Sequence, residues 1–157
     1  IVLKGPLKDI TKMKKIALAF GLLGLATFAN AADVLNGSVW QTIDDETKQP
    51  KAIVKFTEQR DGSLTASIQK YLVPGQEASC SKCEGTFHNK TLKGVTIVHS
   101  LKNVGGVNYD GGSIIDPKNG KTYKLKAEII EGGKKLKLRG YIGVAALGRN
   151  QTWVRAN

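Results

Sequence analysis

Residues 121–142 read KTYKLKAEIIEGGKKLKLRGYI, and this stretch decides the fold. Tyr123, Leu125, Ala127 and Ile129 alternate with Lys124, Lys126 and Glu128. After Gly132-Gly133 the same period resumes, with Leu136, Leu138, Gly140 and Ile142 set against Lys135, Lys137, Arg139 and Tyr141. A period of two gives each run one face for a core and one for water, the pattern of antiparallel strands joined by a tight turn.

Reading outward, the pattern repeats. Leu64, Ala66, Ile68 and Leu72 alternate with Thr65, Ser67, Gln69 and Tyr71, behind an Asp61-Gly62 turn. Asp116-Pro117-Lys118-Asn119-Gly120 is a further turn between two strands. About eight strands are predicted, near 37–43, 51–58, 63–73, 94–101, 106–115, 121–131, 134–144 and 149–156. The one long irregular stretch, Pro74 to Lys93, has room for a short helix and holds both cysteines. Sequential strands without a long crossover favour an all-β, antiparallel up-and-down barrel over a sandwich. Such a barrel encloses packed side chains or one small ligand. An outer-membrane pore is excluded, because Lys124, Lys126, Lys135 and Lys137 would face lipid.

The N-terminal part has a different character. Met13-Lys14-Lys15 followed by the uncharged run Ile16 to Phe28 and by Ala29-Asn30-Ala31 is the pattern of a cleavable secretory leader. The run is shorter than the roughly 20 residues a spanning helix needs. Residues 13–31 are therefore expected to be removed, leaving Ala32 first. Residues 1–12 read as an upstream extension outside the fold, and 32–157 as the barrel domain. No cysteine follows the cleavage position, so no lipid anchor is expected, and the expected compartment is the periplasm.

The 157-residue chain carries a net charge of +11. Without residues 1–31, which hold five lysines and one aspartate, the remaining 126 residues have 19 basic and 12 acidic side chains, a net of +7. The lysine-rich face of Lys124, Lys126, Lys135, Lys137 and Arg139 has few interleaved aromatics and has Glu128 and Glu131 nearby, so it reads as a solvated strand face. Nucleic acid is not an expected partner, and membrane contact is expected to be weak at most.

Cys80 and Cys83 stand in Cys80-Ser81-Lys82-Cys83, and export into an oxidising compartment favours a disulfide between them. A zinc site with His88 and His99 lacks the usual two close ligand pairs. A redox-active pair lacks a βαβ setting. Asp44, Asp45 and Asp116 lie at predicted strand ends, where turn capping outweighs a catalytic pair. The glycines match no phosphate loop and no dinucleotide fingerprint. No catalytic residue, cofactor or metal is expected.

The motifs in order are Trp40-x-Thr42-Ile43-Asp44-Asp45, Cys80-x-x-Cys83-x-Gly85, Gly111-Gly112-x-Ile114-x-Asp116-Pro117-x-x-Gly120-x-x-Tyr123, Leu138-Arg139-Gly140-Tyr141-Ile142-Gly143, and Gly148-Arg149-x-Gln151-Thr152-Trp153-x-Arg155. Together they resemble the domain of unknown function 2147 family, small exported bacterial proteins with a lipocalin-like barrel. The resemblance spans nearly all of Gly37 to Arg155. It departs from the family at Gly37 and Trp40, which have two residues between them instead of one, and at Thr91, where proline is common.

The family has no established activity. The resemblance implies a barrel floor in which Trp40 lies against a basic residue of the last strand, Arg155, with Arg149 as the alternative. Trp40, Tyr123, Arg139 and Arg149 are the candidate ligand contacts. Trp153 lies out of phase with Val154 and is expected to be the more exposed tryptophan. The resulting reading is a periplasmic barrel holding a small, partly apolar or amphipathic molecule. The alternative is a non-catalytic envelope interaction module whose interior is filled by its own side chains. A cavity above roughly 300 Å³ separates the two. Neither reading specifies an oligomeric state.

Overall fold

A computed structural model describes residues 30–157. The extension 1–12 and almost all of the leader 13–31 lie outside the described residues. The rest forms eight strands: β1 (Val39–Ile43), β2 (Pro50–Glu58), β3 (Leu64–Tyr71), β4 (Thr96–Gly105), β5 (Asn108–Asp116), β6 (Lys121–Ile130), β7 (Lys135–Tyr141) and β8 (Arg149–Arg155). Each pairs antiparallel with the next, and β8 returns to β1, so the sheet is a closed eight-stranded barrel. Among the described residues helix is limited to single 3₁₀ turns, one of them Gly85–Phe87 in the long β3–β4 loop.

The alternation that predicts these strands also sets their faces. In the β6–β7 ladder Leu125 faces Gly140, Ala127 faces Leu138 and Ile129 faces Leu136, all on the inner side. Lys126 opposite Arg139 and Glu128 opposite Lys137 occupy the outer one. Lys126 is further paired with Asp110 at 3.1 Å and Lys135 with Glu131 at 2.9 Å, as on a solvated face.

Tyr71 and Trp153 fall on the opposite face from the one the sequence pattern suggests, and Leu72, expected inward with Ile68, lies half-buried just past the end of β3, out of phase with it. Tyr71 is buried and faces the interior, whereas simple alternation places it outside with Gln69. The reason is a bulge: Ile53 pairs with Lys70 but Val54 pairs with Ile68, so Gln69 is an extra residue in β3 and the phase reverses beyond it. Trp153 is likewise buried, at 1 % exposure, while Val154 is 39 % exposed. The β1–β8 register explains this. Trp40 is paired with Arg155, directly opposed residues share a face, and Trp153 is two residues from Arg155.

The strand directions divide the barrel into two ends. The lower end is packed solid: Trp40, Val54, Phe56, Leu64, Val98, Leu101, Leu136 and Trp153 are all essentially inaccessible. Gly112 belongs to this packing, since a Cβ there would lie 2.9–3.1 Å from Leu101. The segment before β1 crosses beneath, and its Leu35 is fully buried. The Trp40 indole N–H donates to Ser38 Oγ at 2.7 Å, and the Ser38 hydroxyl donates to the Leu35 carbonyl. The Tyr109 hydroxyl donates to Asp33 at 2.9 Å. Burial and the Asp33 carboxylate push that hydroxyl's pKa up, so it stays a donor. Arg155 covers Trp40, its Cζ 5.4 Å from the ring centroid.

Cys80 and Cys83 form a disulfide, buried against the core beside Leu92. Cys80 donates from its amide to the Lys90 carbonyl and accepts from the Asn89 amide, both at 2.8 Å, which folds the β3–β4 loop onto itself. So short a covalent loop restricts the unfolded chain little. Cys80→Ser should therefore cost about 2 kcal/mol in urea unfolding. Unreduced, denatured protein should show no free thiol on titration; two reactive thiols, or stoichiometric zinc, would contradict this assignment.

Candidate functional site

At the upper end the inner side chains do not meet. They enclose a well of about 580 Å³, open at the rim formed by the β1–β2, β3–β4, β5–β6 and β7–β8 loops. Its walls are apolar: Ile68, Ile97, Ile114, Leu125 and Leu138 line it, with Trp153 at its base. Small residues on the inner face create the space, Ala52 on β2 and Gly140 on β7.

The rim is polar and tied by ion pairs that cross between loops. Asp45 is 3.4 Å from Arg149 at the start of β8, and Glu46 is 3.3 Å from Lys118 in the β5–β6 turn. The β1–β2 loop thus reaches across the mouth to elements on two other sides. Its shape is fixed by Asp44, whose Oδ1 accepts from the amides of Glu46 and Thr47 at 2.9 and 2.8 Å. The Thr47 bond chiefly, with help from Lys51, holds the Asp44 carboxyl below its ordinary pKa. Asp116 caps the β5–β6 turn in the same way, accepting from the Lys118 amide at 2.9 Å. The disulfide loop docks on that turn, with the Glu84 amide donating to the Lys118 carbonyl at 3.1 Å.

The β7–β8 loop gives the rim an apolar sector. Ile142, Val144 and Leu147 are largely exposed, Leu147 at 83 %. Arg139 holds this loop from the outer wall, donating to the carbonyls of Ala145 at 2.6 Å and Ala146 at 3.1 Å.

Of the four candidate ligand contacts, the structure brings two together. Tyr123 and Arg149 line the well, Tyr123 accepting from the Asn119 side chain at 2.8 Å and Arg149 pairing with Asp45. Arg139 does not reach it, because its odd position in β7 points outward. Trp40 does not reach it either. It shares the inner face but lies in the packed lower end, covered by Arg155, while Arg149 is at the far end of β8.

Thr42, Tyr71 and Gln151 also line the well and were not among the candidates. Thr42 and Gln151 carry a readable signal, since each lies two residues from an inward tryptophan. Tyr71 carries none, because the bulge at Gln69 breaks its period. His88 and His99 are engaged locally, with the Cys83 and Thr96 carbonyls at 3.0 and 3.2 Å. No three metal-ligating side chains converge among the described residues.

A family model described as "Uncharacterized protein conserved in bacteria (DUF2147)" matches residues 38–155. Among solved structures, one described as "Protein HP1028 from the human pathogen Helicobacter pylori belongs to the lipocalin family" is similar at a TM-score of 0.64. The two are 26 % identical, over 78 % of this chain and 83 % of that one. No curated protein matches the chain.

Proposed function

The chain belongs to the DUF2147 family of bacterial proteins, and from a lipocalin-like barrel with an open upper end we propose that it is an exported, periplasmic carrier of a small, partly apolar molecule held inside the barrel. The observation that carries this reading is the well itself. At about 580 Å³ it falls within the roughly 300–1,000 Å³ of small-molecule sites. Its apolar walls would bury the body of a ligand, and its ionic rim would orient a polar end. The alternative of a filled interior fits only the lower half of the barrel.

Export is supported by the leader pattern of residues 13–31 and by the disulfide, a bond that persists in oxidising compartments. In this reading the hydroxyls and carboxylates of the well serve recognition.

Native mass spectrometry of protein purified from its own periplasm tests both parts. The expected spectrum shows a polypeptide beginning at Ala32, with a non-covalent small molecule that is released on denaturation. A polypeptide retaining residues 13–31 would overturn export. Protein that carries nothing and fails to take up an environment-sensitive apolar dye would overturn the carrier reading.

A further inference from the structure

The polar groups of the well have a consistent chemical bias. Thr42 faces Ala52 across the β1–β2 ladder, and Ala52 faces Tyr71 across β2–β3, so the three form one inward row. All three line the well. Thr42 and Tyr71 are 5 % and 7 % exposed. Neither hydroxyl has a hydrogen-bond partner among the described residues; no fully buried polar atom is left unpaired there, so both oxygens open onto the well. Ala52 between them leaves space above its methyl for whatever supplies that partner.

The charges around this row are unbalanced. Five carboxylates line the well, those of Asp44, Asp45, Glu46, Glu84 and Asp116, against the cations Lys51, Lys118 and Arg149. Each of the three cations has a partner: Lys51 with Asp44 at 4.0 Å, Lys118 with Glu46, and Arg149 with Asp45. Glu84 and Asp116 make no ion pair among the described residues. Lys121, opposite Asp116 in the β5–β6 ladder, is exposed at the rim. The lining is therefore net acidic on a domain that is net basic. The Tyr71 hydroxyl registers this: burial first, then the Asp116 and Asp44 charges, raise its pKa.

Building on the carrier reading, we propose that the well selects an amphipathic amine, protonated at neutral pH. Its apolar body lies against Ile68, Ile97, Leu125 and Leu138. Its ammonium sits at the level of the Thr42–Ala52–Tyr71 row, donating to the two free hydroxyl oxygens and facing the Asp116 and Glu84 carboxylates. A fatty carboxylate in the same pose can accept from the two hydroxyls, which donate as readily as they accept, but it meets repulsion from the Asp116 and Glu84 carboxylates; the discrimination comes from charge.

Calorimetric titration with three probes of one chain length, dodecylamine, dodecanol and dodecanoate, each below its micellar range, tests this. Dodecylamine should bind about tenfold more tightly than dodecanoate, equivalent to 1.4 kcal/mol, with dodecanol between them. Added salt should narrow the gap by screening the partly exposed charges. The double variant Asp116→Asn, Glu84→Gln should close most of the gap and unfold at the same urea concentration as the parent protein. The asparagine keeps an acceptor for the Lys118 amide, and the unchanged unfolding midpoint shows that the barrel is intact. Dodecanoate binding as tightly as dodecylamine, or a gap unmoved in the double variant, would overturn the amine assignment while leaving the carrier reading in place. Failure of all three probes to bind would overturn both.

Discussion

Trp153→Ala is expected to lower stability by about 3–5 kcal/mol in urea unfolding, as much as Trp40→Ala. Both side chains are buried, but they do different work. Trp40 seals the floor between Ser38 and Arg155. Trp153 separates the packed lower end from the well, resting on Phe56 with ring centroids 6.3 Å apart and donating to Gln151 at 2.6 Å. Its removal leaves a void continuous with the well above, so the barrel cannot close around the loss. Against a typical total of about 5–15 kcal/mol, either change threatens the fold. Arg155→Ala should cost less, because a cation over an aromatic face contributes only about 0.5–2 kcal/mol. Val154→Ala, on the outer face, should be milder still. A small loss for Trp153→Ala beside a large one for Trp40→Ala would mean that β8 is a residue out of register.

Gly140→Leu should abolish most binding of an apolar probe while leaving the protein folded. A Cβ at this position would lie 3.6 Å from Tyr123 Cβ and 4.0 Å from Ile114 Cγ2, ordinary contact distances, and the rest of the side chain would enter the well. Displacing on the order of 100 Å² of ligand contact at about 25 cal/mol per Å² weakens binding by roughly seventyfold. Stability should change by less than about 1 kcal/mol, since the new side chain occupies existing space. Gly148 makes a useful contrast, because a Cβ there would meet the Gly140 carbonyl oxygen at 2.8 Å and force the β7–β8 loop to move. Unaltered dye or ligand affinity in folded Gly140→Leu protein would show that the well is not the binding site.

The parts of this molecule that follow a simple period are legible in the sequence. Leu125, Ala127, Leu136 and Leu138 alternate so cleanly with charged residues that the β6–β7 hairpin and its faces follow directly, and the turn residues mark the remaining strands. Two kinds of feature are not legible. A bulge leaves no mark in hydropathy, so alternation alone puts Tyr71 on the wrong face. Adjacent apolar residues, Trp153 and Val154, give no phase on their own, although pairing Arg155 with Trp40 already implies that Trp153 faces inward. The well itself depends on Ala52 and Gly140, two small residues far apart in sequence that line one space only once the strand register is known. That is why composition and period alone do not specify whether the upper end of the barrel is open.

The seam that closes the barrel differs from its other ladders. β1 and β8 share two paired positions, whereas β6 and β7 share seven. They join residue 40 to residue 155, so almost the whole chain must be ordered before the contact can form. Contacts of such high sequence separation set the pace of folding in barrels. The consequence is an asymmetry in time as well as in space: the β6–β7 hairpin can assemble locally and early, and the β1–β8 edge zips last. In the native state the same edge has the fewest bonds to break, so transient opening, and with it the fastest amide hydrogen exchange within the sheet, should run along Gln41 and Val154.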